Sequence, residues 1–227
     1  MHKLLNMLNN STLTLIASLP ANDYKLAEAA WANGADAVKI HINVEHRASG
    51  TVFGRFDDER ENIQKILDVA RGRPVGIVLG ASPEDAERDF EDVVKAGFDF
   101  ISIYAHHAAP ALLDPRVTRM FAADYSYSAD EKKYLASYAD VFEASLAAPE
   151  RYGDRLSLRD LISYKALCDA IDPPVVVPTQ KNILPSEVAH LHKAGVSAVM
   201  IGAIVAGKTV ESYGRATAAF RNAIDRN

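Results

Sequence analysis

Residues 28–42, EAAWANGADAVKIHI, run from a helical pattern through a glycine into an apolar strand. The same passage occurs twice more, as DVVKAGFDFISIY at 92–104 and HLHKAGVSAVMIG at 190–202. In each copy the helix stops at a glycine, Gly34, Gly97 or Gly195, placed where a helix end calls for left-handed backbone, and the strand starts two or three residues later. A fourth copy, YLASYADVFEAS at 134–145, lacks the glycine and keeps the Ala-Asp-apolar lead-in. Helices joined by short loops to β-rich strands, repeated along a chain, specify a parallel sheet with right-handed crossovers.

Filling the intervals predicts eight strands, at about 13–19, 36–42, 75–80, 99–105, 117–124, 140–146, 175–180 and 197–203. Eight such units in 227 residues predict an α/β protein with one domain, a single (β/α)8 TIM barrel over 1–227. Ser82-Pro83-Glu84-Asp85 marks one helix start, with a capping hydroxyl, a proline at the first turn and acids near the positive dipole end. The shortest unit, 106–116, contains two prolines and has room for only a turn or two of helix.

The net charge of −5 and the lack of a basic block argue against nucleic acid as a partner. No apolar run of membrane length and no signal-peptide pattern near Met1 is present, so the expectation is a cytoplasmic protein with no membrane partner. The single cysteine, Cys168, excludes an intrachain disulfide and reads as a small buried hydrophobe on an amphipathic helix. The sequence leaves a homo-oligomer open.

Within the repeat, VKIHINVEH at 38–46 departs from the apolar rule. Strand alternation puts Lys39, His41 and Asn43 on one face and Val38, Ile40 and Ile42 on the other. Aligning the even-numbered strands makes Lys39, Ser102, Glu143 and Met200 equivalent, and one step later His41, Tyr104, Ser145 and Gly202. Inward side chains from alternate barrel strands form layers of four, so Lys39 and Glu143 are expected to meet across the barrel as a buried ion pair. Such a pair is a poor source of stability, which turns the reading toward chemistry: proton transfer by Lys39 and Glu143, or attack of Lys39 on a carbonyl. His41, one layer higher, is a candidate to polarise a substrate oxygen. Asp124, at the end of the fifth strand, is a second carboxylate candidate from its strand-end position. His106 and His107 point opposite ways on an extended chain and have no metal-ligand spacing, so no metal is expected.

The segment PPVVVPTQKNILPSEVAHLHKAGVSAVMIGAIV, 173–205, resembles the last two strands of the ribulose-phosphate-binding barrel superfamily. That group includes sugar-phosphate epimerases and isomerases. The resemblance implies a phosphate held by backbone amides after the two last strands, here by Gly202 and Ala203 and by the Lys181-Asn182-Ile183 loop. Thr179-Gln180-Lys181-Asn182 stands where the superfamily usually has glycine, and strand three lacks the lysine expected of aminosugar-phosphate epimerases. The reading is therefore a cofactor-independent isomerase or epimerase acting on a small phosphorylated sugar or related metabolite. The alternatives are a Schiff-base aldolase or lyase using Lys39, and a non-catalytic barrel that binds a phosphorylated ligand. The long connection at 43–63, with Arg47 and Arg55 as possible anion contacts, is a candidate lid.

Overall fold

Gly34, Gly97 and Gly195 take φ values of 96°, 85° and 95°, and each is followed by a strand of one closed barrel. The computed structural model describes residues 2–10 and 12–226. The barrel strands are β1 (Thr14–Ser18), β2 (Ala37–His41), β5 (Val75–Val78), β6 (Phe100–Tyr104), β7 (Thr118–Asp124), β8 (Val141–Ser145), β9 (Val175–Pro178) and β10 (Ala198–Ile201). All neighbouring pairs are parallel, and β1 closes the ring against β10 and β2. The chain is a single (β/α)8 TIM barrel. Several strands are shorter than their sequence patterns because the terminal residues already belong to turns. Gly202, for instance, precedes the short helix α8 (Ala203–Ala206) instead of continuing β10.

The recurrent Asp of the lead-in has a mechanical purpose. Asp36 and Asp140 each donate their backbone N–H to the preceding strand, and their carboxylates accept the N–H of Leu15 and Arg119 in return. The odd-to-even strand junctions are thus pinned at their N-terminal ends. Asp99, in the same place before β6, accepts instead from Lys3 N and Leu4 N, at 2.9 and 2.8 Å. Those amides open α1 (Lys3–Leu8), a helix that sequence analysis did not anticipate. Its Leu4 and Leu8 close the bottom of the barrel over Ile16, Ala37, Phe100, Met120, Val141 and Val176. Phe100 needs a missing side chain to fit: a Cβ on Gly76 would lie 2.1 Å from its ring. The barrel interior at this end is filled by apolar side chains.

Between β2 and α3 (Phe56–Ala70) the long connection forms an antiparallel hairpin, β3 (Val44–His46) and β4 (Thr51–Phe53). Residues 105–112 contain two 3-10 turns, at Ala105–His107 and Pro110–Leu112, in place of a helix. Cys168, on α6 (Leu158–Ala170), is half-buried and packs where a Cβ on Gly195 would reach within 2.9 Å of it. Among the described residues, no helix is long and apolar enough to cross a membrane.

Candidate active site at the C-terminal end of the barrel

Strand register sets the site in three steps. Above the apolar floor come Lys39, Ser102, Glu143 and Met200 from the even strands, then Ser18, Val78, Ala122 and Pro178 from the odd strands, then His41, Tyr104, Ser145 and Gly202. All twelve line one cavity of about 310 Å³. That volume suits a small metabolite.

Lys39 Nζ lies 3.3 Å from Glu143 Oε2, with both side chains buried. Ser102 joins them, donating to Glu143 Oε2 at 2.7 Å and accepting from Lys39 at 3.4 Å. Ser145 donates to the other carboxylate oxygen, Oε1, at 3.0 Å. Every one of these bonds comes from a side chain that lines the cavity. A carboxylate bound only by side chains at a void can exchange partners and protons with a ligand, whereas one bound to backbone cannot without local unfolding.

His41 is 2% exposed and its Nδ1 has no hydrogen-bond partner among the described residues. Its ring stacks on Phe53 at 4.9 Å and lies 4.4 Å from His46. Burial, and then the proximity of the His46 ring and the Lys39 cation, hold it well below the usual imidazole range. His46 is lowered to about 4, chiefly by burial and by Lys39, with Glu143 opposing. Both rings are therefore neutral near pH 7. Asn22 fixes the backbone of His41, donating to its carbonyl at 2.7 Å and accepting its N–H at 3.3 Å. His41 is thus held by its backbone while its ring stays free for a ligand.

The roof of the cavity is the hairpin, which contributes Val44, Glu45, His46, Arg47 and Ala48. Thr51 Oγ1 ties it to Pro20 O at 2.8 Å. Arg47 is exposed at the mouth and makes no ion pair among the described residues. The far wall holds Tyr104 and Tyr152, whose phenols burial pushes up, and Gln180, which donates to Tyr152 OH at 2.6 Å and accepts Ala147 N.

Four sequence-predicted residues fall outside this arrangement. Lys181 is buried with its Nζ turned to Asp154, 3.8 Å away, and Ile183 packs in the outer core. Asn182 pairs its backbone with Asp154 and Arg155. The 180–183 loop thus lies against 153–155, and none of Lys181, Asn182 and Ile183 lines the cavity. Asp124 shares the inward register of Ser145, but its Oδ1 turns back to accept from Ser126 N and Ser126 Oγ, and it does not line the cavity. Gly202 and Ala203 do line it. Gly202 N is taken by Thr179 Oγ1 at 3.0 Å, so the open amides there are those of the first turn that follows. His107 reaches the rim and His106 bonds Tyr127, but the two lie on a 3-10 turn with ring centroids 4.2 Å apart and do not face opposite ways as an extended chain would have them. Among the described residues no group of three or more His, Cys, Asp or Glu is placed to hold a metal ion.

Sequence reasoning placed Tyr104 and Ser145 in the right layer without assigning them a part. Tyr152 and Gln180 it missed, since both sit in loops where alternation carries no information.

No family model matches the chain, and no curated protein matches it. Solved structures do. A thiamine phosphate pyrophosphorylase from Pyrococcus furiosus superposes with a TM-score of 0.68 at 14% identity, covering 99% of this chain and 98% of its own. A structure described as native KDPGal gives 0.67 at 20% identity, with 94% and 95% covered. The tryptophan synthase A-subunit from Pyrococcus furiosus gives 0.64 at 13%, with 95% and 97% covered. At such identities the likeness establishes the barrel fold alone.

Proposed function

We propose that this protein is an enzyme that moves a proton beside the carbonyl group of a small phosphorylated metabolite, as an isomerase or epimerase does. One observation carries the reading: the Lys39–Glu143–Ser102 cluster lies buried at the floor of an otherwise open cavity, with every bond to Glu143 made by a lining side chain. In this reading Glu143 takes the proton from the carbon next to the carbonyl. Lys39, as an ammonium, gives its proton to the carbonyl oxygen, and the resulting enediol is neutral overall. For an isomerisation Glu143 returns its proton to the former carbonyl carbon while the neutral Lys39 amine takes the hydroxyl proton of the carbon first deprotonated; an epimerisation instead needs the carbon reprotonated on its opposite face by a donor other than Glu143. His41 contributes a neutral ring N–H to the same oxygen, a donor that carries no charge to be neutralised.

The anionic end of the substrate is assigned to the mouth, between the first-turn amides after Gly202 and the unpaired Arg47. Lys181, Asn182 and Ile183 have no part in this version of the site, and neither has Asp124.

The test is deuterium wash-in: incubating the protein in heavy water with a panel of aldose and ketose phosphates and following the carbon-bound proton beside the carbonyl by NMR. Exchange that Glu143→Gln abolishes supports the reading. A panel without exchange in the native protein removes it. Schiff-base chemistry is the second reading, favoured by the placement of Lys39 as the lining lysine with a carboxylate beside it to receive its proton. Borohydride reduction that leaves a stable substrate-derived mass increase on Lys39 would establish that route in place of proton exchange. Binding of a sugar phosphate that is unaffected by Lys39→Met, with no turnover in either protein, would leave a non-catalytic binder.

A further inference from the structure

One buried carboxylate outside the proposed chemistry holds both ends of the roof. Asp89 lies on α4 (Pro83–Ala96) and is 4% exposed. Its Oδ2 accepts from Asn43 Nδ2 at 2.7 Å and from Phe56 N at 3.4 Å. Asn43 is the residue before β3, and Phe56 opens α3 just after β4. Arg88 completes the arrangement, donating to Asp89 Oδ1 at 3.1 Å and to Asn43 Oδ1 at 3.0 Å. Burial pushes Asp89 up, but the bonds from Arg88, Asn43 and Phe56 outweigh it and keep the group below the usual carboxylate range.

Asn43 is also the point of backbone strain, with φ of 53° in the left-handed region. Its side chain is fully used: Nδ2 also donates to Leu79 O at 3.0 Å, at the end of β5. Gly80 fits against it so closely that a Cβ there would lie 3.1 Å from Asn43 Cβ. An acid on the outer helix layer thereby reaches the one segment that covers the cavity.

We infer that Asp89 is a positioning residue, which fixes the hairpin in the closed setting that holds His46 and Arg47 at the cavity mouth. Its consequence for turnover rests on the function proposed above, but the setting of the hairpin does not. Limited proteolysis reads that setting directly, because Arg47 is an exposed trypsin site in the hairpin turn. Two variants are compared with the native chain under folded conditions. Asp89→Ala removes both tethers; Asn43→Gly removes the side-chain amide, with its bonds to Asp89, Leu79 O and Arg88, and leaves Phe56 N on Asp89, while glycine keeps the left-handed backbone free of strain. Cleavage after Arg47 is expected to rise by about tenfold or more in each, with cleavage inside α3 and α4 unchanged, since local opening sets the rate. Arg47 cleavage at the native rate, or acceleration at all sites together, overturns the inference. Should Asp89→Ala fail to fold, Asp89→Asn, which keeps the shape and loses the charge, takes its place, with the same two outcomes. Given a sugar phosphate that is turned over, the same variants should raise KM several-fold more than they lower kcat. If none is turned over, the function falls and the proteolysis result still stands or fails by itself.

Discussion

The two ends of the barrel each bury a carboxylate, and they use it in opposite ways. At the N-terminal end Asp99, 7% exposed, binds two backbone amides at the start of α1 and so holds a plug in place over a solid apolar layer. At the C-terminal end Glu143, 5% exposed, binds only side chains, and above it the barrel is hollow. Burial is nearly the same, with two bonds to Asp99 and three to Glu143. The two acids differ in the identity of their partners: main-chain donors cannot leave, whereas Lys39, Ser102 and Ser145 can be exchanged for a ligand's atoms.

The contrast is most exposed to failure at Lys39. Lys39→Met should lower turnover of a sugar phosphate by about 10²–10⁴, the range of a general acid or base. It should also destabilise the fold by about 3–5 kcal/mol, because Glu143 is left buried without its cation. Adding Glu143→Leu should restore much of that stability and none of the turnover. Urea unfolding of the single and double variants measures the first, and a variant as stable as the native protein would show that the pair is not a buried charge pair in solution.

Next in size is a pH effect confined to the hollow end. His46 titrates at about 4 in the folded chain and near 6.5 when unfolded, so the unfolded chain binds the extra proton between those values. Stability contributed by the neutral ring is complete above pH 6.5 and is lost as pH falls toward 4, by no more than about 3 kcal/mol on the scale of 1.36 kcal/mol per unit. His41, also lowered, acts in the same direction. Thermal midpoints across this window should fall less steeply in His46→Phe than in the native protein. Equal slopes would place the titration elsewhere.

The filled end predicts a smaller and purely structural change. Asp99→Ala should cost about 2 kcal/mol through the two lost charge-assisted bonds, with turnover at 25 °C unaltered. A loss of turnover without loss of stability would erase the distinction between the ends. Smallest of all, Asp124→Ala should alter both stability and turnover little, within about 0.5 kcal/mol, because its carboxylate serves only an exposed turn at Ser126.

Much of the architecture could be read in advance because it repeats. The glycine-ended helices mark where units join, and the period of two along a strand tells which residues face in, which is how Lys39 and Glu143 could be paired across 104 residues of chain. Where backbone leaves the sheet that period carries no information. β9 ends at Pro178, and three residues later Lys181 already belongs to a loop that pairs with 153–155, so its direction follows that pairing and not the strand. Asp124 shows a different limit: alternation gave its face correctly, but the rotamer was decided by a local bond to Ser126 that competes with the cavity. The hairpin was invisible as such because strands of three residues are too short to show a period. Asp89, which bonds at both ends of the hairpin, has no spacing or motif that sets it apart from the other acids of α4.

The roof also has a consequence for how such a barrel can change over time. The chain leaves β2 and comes back at almost one point, with Asn43 N donating to Gly54 O at 2.8 Å, and no barrel strand pairs with the hairpin between them. Residues 44–53 are in effect a cassette plugged into a socket, and the ring of strands closes without them. Swapping that cassette alters what the chamber admits while the polar floor and its scaffold are inherited intact, so the entrance and the floor are free to evolve on separate clocks.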